Sequence, residues 1–308
     1  RGRSLKRVLL EYLRETGTPD QADFKLHDFG FRGVSCPEQA AVGGAAHLVN
    51  FRGTDNLAGI LMLRRFYGEE MAGFSIPASE HSTITAWGEG GEADAMRNML
   101  VRYPRGMVAC VSDSYDISRA CRDYWGETLK PLIEMRAGTL VVRPDSGEPR
   151  DSVRNVLQIL GEKFGYRRND PGFKVLPDCV RVIQGDGITD ETLVEVLQEM
   201  KTHEWSTDNI AFGSGGGLLQ KLDRDTQRFA FKCSYVEVDG AGRDVYKRPT
   251  SDRSKDSKRG RLTLLHADGW QTVPENHPGD DVLQEVFRDG QLLRRTTLAD
   301  VRNRAAIN

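Results

Sequence analysis

A pattern that recurs along most of the chain constrains its fold more than any other feature. Each repeat has a short apolar or β-branched run, a polar cluster directly after it, and then a segment with apolar residues at helical spacing. The helical spacing is clear at Val153, Val156, Leu157 and Leu160. The alternation predicts an α/β fold with a mainly parallel sheet. The six runs are residues 46–55, 73–81, 107–113, 139–145, 180–186 and 210–216.

The polar clusters at the strand ends distinguish two forms of such a sheet. A parallel sheet can close as a barrel or stay open and doubly wound, and in both forms ligands bind at the carboxyl ends of the strands. An open sheet would unite only the clusters near its switch point, whereas a barrel unites all of them. We therefore predict an irregular parallel α/β barrel over residues 1–235, with an open sheet as the alternative. Residues 236–308, with short alternating strands and a final helix, predict a smaller sheet-containing α+β lobe.

The charge and cysteine content argue against several protein classes. The 308 residues include 43 basic and 45 acidic side chains, and the formal net charge of -2 argues against bulk binding to nucleic acid or membrane. No apolar run is long enough for a membrane-spanning helix. The five cysteines are widely spaced and form no C-x-x-C pair, so we expect neither a disulfide framework nor a zinc knuckle. A cytoplasmic location is the simplest expectation.

A glycine-rich run after the sixth apolar segment indicates an anion site. Residues 213–217 are four glycines and Ser214, placed between an apolar run and an apparent helix. Glycine lets the main chain approach an anion closely, and the start of a helix offers unpaired N–H groups. No Gly-Lys-Ser/Thr follows at Walker A spacing. The run predicts a phosphate-binding loop, and a glycine-rich turn without a ligand is the alternative.

Aspartates at three strand ends indicate a metal ion and a sugar. Asp113 and Asp145 directly follow apolar runs, and carboxylates at adjacent strand ends can share Mg²⁺, which prefers oxygen ligands and often bridges to phosphates. Either aspartate could instead cap the following helix. Asp186 lies between two glycines, where a ribose hydroxyl is a reasonable partner.

Other side chains at or near strand ends could bind phosphates and an aromatic ring. Arg32, Arg143 and Arg224 could hold phosphate oxygens in a bidentate manner, although each could also be an ordinary surface arginine. His81 is flanked by hydroxyl groups and a carboxylate, so it could be a general acid or base, a phosphate acceptor, or a structural imidazole. Phe29 could stack on an aromatic ring or simply fill the core.

Taken together, these motifs resemble the nicotinamide phosphoribosyltransferase family. The resemblance covers almost the whole chain and looks like the carboxyl-terminal two thirds of such an enzyme. It implies an irregular, type II phosphoribosyltransferase-like α/β barrel beside a mixed sheet domain, in an obligate homodimer. Because the first residue is Arg1 in an apparent helix, we expect further sequence upstream, which would complete the smaller lobe. The motifs are residues 25–33, 47–55, 77–88, 112–116, 143–147, 182–187 and 213–221.

The resemblance implies a glycosyltransferase of NAD salvage. Its substrates would be nicotinamide and phosphoribosyl pyrophosphate, and its products nicotinamide mononucleotide and pyrophosphate. ATP would be a co-substrate, with its hydrolysis coupled to synthesis through a phosphohistidine. The alternatives are a nicotinate phosphoribosyltransferase and a non-catalytic binding protein on the same scaffold.

Residue roles follow from the same resemblance. Phe29 would stack on the pyridine ring, Asp55 would accept a hydrogen bond from the carboxamide, and Arg143 would hold the amide oxygen. His81 would be phosphorylated. The contacts to phosphates would come from Arg32, Gly185, Gly215, Gly216, Arg224 and Lys232. Asp145 and Asp186 would bind the ribose, and Asp113 with Asp145 the Mg²⁺ ion.

The chain departs from the family pattern in two ways. Ala230 stands where a phosphate-contacting serine is expected, which puts that contact in doubt. The family's amino-terminal region, which supplies a second stacking aromatic to the partner's site, is absent from these 308 residues.

Overall fold

The computed structural model describes residues 1–225, 227 and 230–307. The chain forms two units, of which the first comprises Arg1–Lys221 with Thr296–Asn308 and the second Leu222–Arg295. No helix in the described ranges is both long and apolar enough to cross a membrane.

Six parallel strands form the central sheet of the first unit. The strands are β1 Leu26–Asp28, β2 Gly53–Thr54, β3 Val108–Val111, β4 Leu140–Arg143, β5 Val180–Gln184 and β6 Ile210–Ser214. Their order across the sheet is β2, β1, β6, β5, β4, β3. Adjacent strands stay in parallel register, as where Cys110 pairs with Val142 and Val142 with Val182.

A short extended segment, residues 74–79, joins the two edges of this sheet. At one edge the amide of Thr54 donates to the carbonyl oxygen of Phe74 at 2.9 Å. At the other edge the amide of Ser79 donates to Ala109 O at 3.0 Å, and the amide of Ala109 donates to Pro77 O at 2.9 Å. Both edge strands therefore bond to this closing segment, and the curled sheet becomes an irregular barrel. The predicted α/β barrel is confirmed.

Side chains alternate between the inside of the barrel and the surrounding helices. Ala109, Val141 and Ile183 pack together inside the barrel, with Phe29 and Ile76 against them. Their neighbours along the strands belong to the main hydrophobic core, which the helices cover from outside. Strands buried on both faces explain the nearly continuous apolar runs of the sequence. The outer core residues of the strands are Cys110, Val142, Val182 and Phe212.

Eleven α-helices connect and cover the strands in the described residues. The predicted apolar face around Val153 and Leu157 is buried, and the predicted N-cap is confirmed because the side chain of Thr189 accepts a hydrogen bond from the amide of Thr192. The helices are α1 Gly2–Thr16, α2 Pro37–His47, α3 Leu57–Tyr67, α4 His81–Thr85, α5 Glu92–Arg102, α6 Ile117–Arg119, α7 Lys130–Met135, α8 Pro149–Phe164, α9 Asp190–Thr202, α10 Gly216–Leu219 and α11 Leu298–Ala305. A π-helix, Ala120–Thr128, directly follows α6.

The final helix belongs to the first unit, which differs from the predicted division after residue 235. Leu298 is buried beside Leu48 and Leu63. Arg302 donates hydrogen bonds to the carbonyl oxygens of Leu48 and Ala72 at 2.7 to 3.0 Å. These contacts hold α11 against the barrel helices and explain why residues 296–307 belong to the first unit and not to the predicted smaller lobe.

The second unit consists mainly of antiparallel hairpins. One pairs β7, Tyr235–Val238, with β8, Ala241–Asp244. Another pairs β9, Leu262–His266, with β10, Trp270–Pro274. A minimal hairpin joins Phe287–Arg288 to Gln291–Leu292.

Candidate active site

An open cavity of about 530 Å³ lies at the carboxyl ends of the barrel strands. It is lined by loops that follow β1, β2, β4, β5 and β6, which is the convergence that the barrel prediction required. The predicted site residues that line it are Phe29, Arg32, Asp55, Arg143, Asp145, Gly185, Asp186, Gly215 and Gly216.

A second, largely apolar cavity of about 320 Å³ opens inside the barrel next to the first. Phe29, Asp55 and Arg143 line both cavities and so mark the place where they meet. The ring of Phe29 lies so close to Gly213 that a Cβ atom there would be 2.0 Å from it. This junction offers an aromatic face, a carboxylate and a guanidinium to one flat ligand group.

Asp55 is held from two sides. Its amide donates to the carbonyl oxygen of Asp28 at 3.0 Å, and its Oδ1 accepts a short hydrogen bond from the hydroxyl of Ser75. Ser75 lies in the closing segment, so the barrel closure itself orients the carboxylate. Asp55 is exposed and lines both cavities.

A histidine, two aspartates and an arginine form a continuous chain of contacts beside the main cavity. Nε2 of His81 lies 3.1 Å from Oδ1 of Asp113, and Nδ1 lies 3.9 Å from Oδ2 of Asp145. Oδ2 of Asp113 accepts a hydrogen bond from the amide of Asp145 at 3.0 Å. Arg143 in turn bonds both oxygens of Asp145, at 3.3 and 2.9 Å. These contacts connect the half-exposed imidazole of His81 to the largely buried charged groups of Asp113, Asp145 and Arg143.

The two aspartates could take part in holding a magnesium ion. Among the described residues, no group of three or more His, Cys, Asp or Glu side chains is placed to hold a metal. Asp113 and Asp145 supply two hard carboxylates, and each oxygen retains a second lone pair beyond its protein hydrogen bond. Such a donor set fits Mg²⁺, which usually binds one or two carboxylates and completes its shell with water and phosphate.

The glycine loop combines two glycines that the protein needs for its own packing with two that stay open. A Cβ at Gly213 would strike Phe29, and one at Gly217 would lie 2.4 Å from the carbonyl oxygen of Ile188. Gly215 and Gly216 have no such contact under 3.0 Å. The amides of residues 215–217 have no hydrogen-bond partner within the described part of the chain. They remain available to an anion in the cavity.

Four polar residues of the cavity had no predicted role as ligand contacts. Glu80 lies 3.6 Å from Arg143, and Lys221 adds a cation after the glycine loop. Gln220 donates to the carbonyl oxygen of Gly30, and Thr189 was predicted only as a helix cap. The sequence signal for Lys221 was its place one turn after the loop, whereas nothing local marked Glu80 or Gln220.

Two predicted phosphate contacts belong to the second unit. Arg224 is exposed and pairs with Asp225 at 2.8 Å. Lys232 is exposed, as is Ala230. Their roles stay predictions.

Comparison with known proteins identifies close relatives. The model of the nicotinate phosphoribosyltransferase (NAPRTase) family matches residues 24–291. A nicotinamide phosphoribosyltransferase of Xanthomonas campestris pv. campestris is 51% identical and aligns with 98% of this chain. Proteins of the same name from Acinetobacter baylyi and Mycoplasma pneumoniae are 31% and 33% identical, over 98% and 84% of the chain.

The chain spans only part of these relatives. It covers 67% of the Xanthomonas protein, 65% of the Acinetobacter protein and 58% of the Mycoplasma protein. Among solved structures, human nicotinic acid phosphoribosyltransferase aligns with 98% of this chain and 66% of its own, at 16% identity and a TM-score of 0.44.

Proposed function

Because the chain belongs to the nicotinate phosphoribosyltransferase family, we propose that it makes nicotinamide mononucleotide and pyrophosphate from nicotinamide and phosphoribosyl pyrophosphate, as a step of NAD salvage. The observation that carries this proposal is the junction of the two cavities. There Phe29, Asp55 and Arg143 meet, while Asp186 and residues 215–217 of the glycine loop line only the main cavity. A base at the junction would face a ribosyl phosphate in the main cavity.

The sugar chemistry needs no protein nucleophile. The ring nitrogen of nicotinamide attacks the anomeric carbon, the bond from that carbon to the pyrophosphate oxygen breaks, and positive charge develops on the sugar. Asp145 and Asp186 would face this charge, and Arg32 with the free glycine amides would hold phosphate oxygens. Asp113 and Asp145 would hold a magnesium ion, which when bound neutralises the leaving pyrophosphate.

His81 is suited to accept a phosphoryl group from ATP. With the Nε2 proton donated to Asp113, the lone pair of Nδ1 is free. Nδ1 would attack the γ-phosphorus, the bond to the bridging oxygen would break, and ADP would leave; water would later cleave the N–P bond and release phosphate. Arg143 already neutralises the nearby Asp145, which lessens repulsion of the incoming phosphoryl group.

Asp55 favours nicotinamide over nicotinate. A fixed carboxylate accepts a hydrogen bond from a carboxamide N–H but repels the carboxylate of nicotinate, a difference of roughly 1–3 kcal/mol or more. The second candidate base is nicotinate, because the matched family is named after nicotinate phosphoribosyltransferase.

Two further parts of the proposal concern location and assembly. We place the protein in the cytoplasm, which is consistent with five free cysteines. We also propose a homodimer, as in the family, and sedimentation at micromolar concentration tests it because a monomeric mass would contradict it.

A direct assay tests the function. The 308-residue chain is incubated with phosphoribosyl pyrophosphate, Mg²⁺ and either nicotinamide or nicotinate, with and without ATP, and products are separated by chromatography. We expect nicotinamide mononucleotide in larger yield with ATP. Product that forms with nicotinate but not with nicotinamide would establish nicotinate as the base. A folded chain that binds a base but forms no product would be a binding protein.

A further inference from the structure

A buried acid–amide pair joins the ends of β1 and β2. Asp28 and Asn56 are both fully buried. Nδ2 of Asn56 donates to Oδ2 of Asp28 at 2.9 Å, and the amide of Gly30 donates to Oδ1 at 2.8 Å. Burial raises the pKa of Asp28, while the hydrogen bonds from Asn56 and Gly30 oppose that rise. Neither residue lines a cavity described above.

Each member of the pair is the chain neighbour of a residue at the cavity junction. Phe29 follows Asp28, and its amide donates to the carbonyl oxygen of Ser214 at 3.0 Å. Asp55 precedes Asn56, and its amide donates to the carbonyl oxygen of Asp28. The Asp28–Asn56 bond therefore ties together the two main-chain segments that carry the aromatic face and the carboxylate.

The side-chain amide of Asn56 uses both of its N–H groups and its oxygen. The second N–H of the Asn56 amide donates to Ala40 O at 2.9 Å, and its oxygen caps α3 by accepting from the amide of Gly59 at 3.3 Å. Gly44 leaves the necessary space, because a Cβ there would lie 2.4 Å from Nδ2 of Asn56. A change at either member leaves a buried polar group unpaired, which shifts the attached segments or costs stability.

We propose that Asp28 and Asn56 are positioning residues that fix Phe29 relative to Asp55 and so determine affinity for the pyridine base. The inference rests on the proposed function. The pair acts through its neighbours, because it lies behind the cavity wall. Loss of the pair should weaken the base site and leave the phosphate end of the main cavity unchanged.

Steady-state kinetics of three variants test the pair. Asn56→Ser keeps an oxygen that can cap α3 but removes the amide that bonds Asp28. Asp28→Asn leaves one acceptor oxygen for two donors, the amides of Asn56 and Gly30. Adding Asn56→Asp restores the side-chain hydrogen bond in the reverse direction but gives up the bond to Ala40 O. We expect the KM for nicotinamide to rise about tenfold in each single variant and to recover in part in the double variant, with the KM for phosphoribosyl pyrophosphate unchanged.

A matched control separates positioning from stability. Asn209 is also a fully buried amide with three main-chain partners, but it precedes β6 at the opposite end of the barrel. Asn209→Ala should lower the melting temperature without changing the ratio of the two KM values. Equal rises of both KM values in Asn56→Ser, or a wild-type KM for nicotinamide, would overturn the proposal. If Asp28→Asn does not fold, Asn56→Ser carries the test.

Failure of the proposed function gives a different result. A wild-type chain that forms no product refutes that function, and calorimetry of nicotinamide binding on the same variants then tests the pair. A tenfold loss of affinity in Asn56→Ser relative to Asn209→Ala supports the positioning role, and equal affinities refute it.

Discussion

Nε2 of His81 lies 3.1 Å from Oδ1 of Asp113, and this contact favours the imidazole tautomer that carries its proton on Nε2, because a carboxylate accepts hydrogen bonds. In that tautomer Nδ1 keeps its lone pair. Because the other oxygen of Asp113 bonds the amide of Asp145, the orientation of the ring depends on the loops after both β3 and β4.

The first prediction concerns this histidine. His81→Ala should lose all acid-labile label from γ-labelled ATP and the gain in nicotinamide affinity that ATP brings, yet keep some synthesis without ATP. In the wild-type protein the phosphoryl group should be found on Nδ1, by ³¹P and ¹⁵N spectroscopy.

His203→Ala is the matched control, because Nε2 of His203 also lies 3.1 Å from a carboxylate, that of Glu199, on α9. Its label should equal that of the wild type. Label that persists in His81→Ala means that another residue carries the phosphate, and an active wild type without label removes the mechanism.

A second prediction concerns the metal. Asp145→Ala should lower kcat by about 100-fold or more, because it removes a carboxylate beside the reacting sugar and one of two expected Mg²⁺ ligands. Titration of Mg²⁺ should show a weaker apparent affinity. Asp178→Ala removes another arginine-paired aspartate, bonded to Arg181 at 2.8 Å before β5, and should leave both values unchanged. Wild-type Mg²⁺ dependence in Asp145→Ala would contradict the assignment.

The third prediction concerns the choice of base. Asp55→Asn removes the charge but keeps the shape, so the preference for nicotinamide over nicotinate should fall about tenfold or more. Values of kcat/KM for both bases measure it. Ser75→Ala leaves the charge and frees the carboxylate, and it should reduce the preference less. An unchanged preference in Asp55→Asn would exclude Asp55 as the discriminating residue.

A fourth prediction concerns Gly213. Gly213→Ala places a methyl group 2.0 Å from the Phe29 ring, so the ring must move. We expect a higher KM for nicotinamide and a loss of about 1–3 kcal/mol in the free energy of unfolding. Gly90→Ala, where nothing lies within 4 Å, should change neither. A wild-type KM in Gly213→Ala would show that Phe29 does not contact the base.

The sequence predicted the barrel because its strand ends carry polar clusters, but it did not predict how the barrel closes. The repeat pattern predicts one strand with its polar end within residues 73–81 and another within residues 46–55. In the structure, residues 74–79 pair only at their ends, and Pro77 has no N–H to donate. Helix α2 extends to His47, and turns follow in which the amides of Asn50 and Phe51 donate to the carbonyl oxygen of His47. Only Gly53–Thr54 is therefore strand in this range.

The candidate site also contains residues that the sequence predicts and contacts that it does not predict. Residues such as Asp113 and Asp145 could be predicted because their chemistry is visible directly after a strand. The bonds from Ser75 to Asp55 and from Asn56 to Asp28 join residues 20 and 28 positions apart, so no local pattern shows them. The glycine run predicts a phosphate-binding loop or a turn without a ligand. Neither prediction includes the contacts with Phe29 and Ile188 that require glycine at Gly213 and Gly217.

The last prediction concerns stability in acid. His47 is buried, stacks on Phe51, and donates from Nε2 to the carbonyl oxygen of Gly53 at 2.9 Å. Burial lowers the pKa of His47 from 6.5 to about 4, so between these pH values the unfolded chain binds a proton that the folded protein excludes. The free energy of unfolding must therefore decrease as the pH falls through this window, by roughly 3 kcal/mol for this group at its lower end.

His47→Gln can still donate to Gly53 but does not titrate, so its urea midpoint should fall less between pH 7 and about pH 4.5 than that of the wild type. His203→Gln, which removes a surface histidine, controls for the substitution itself. An equal loss in His47→Gln and the wild type would show that His47 does not govern the acid transition.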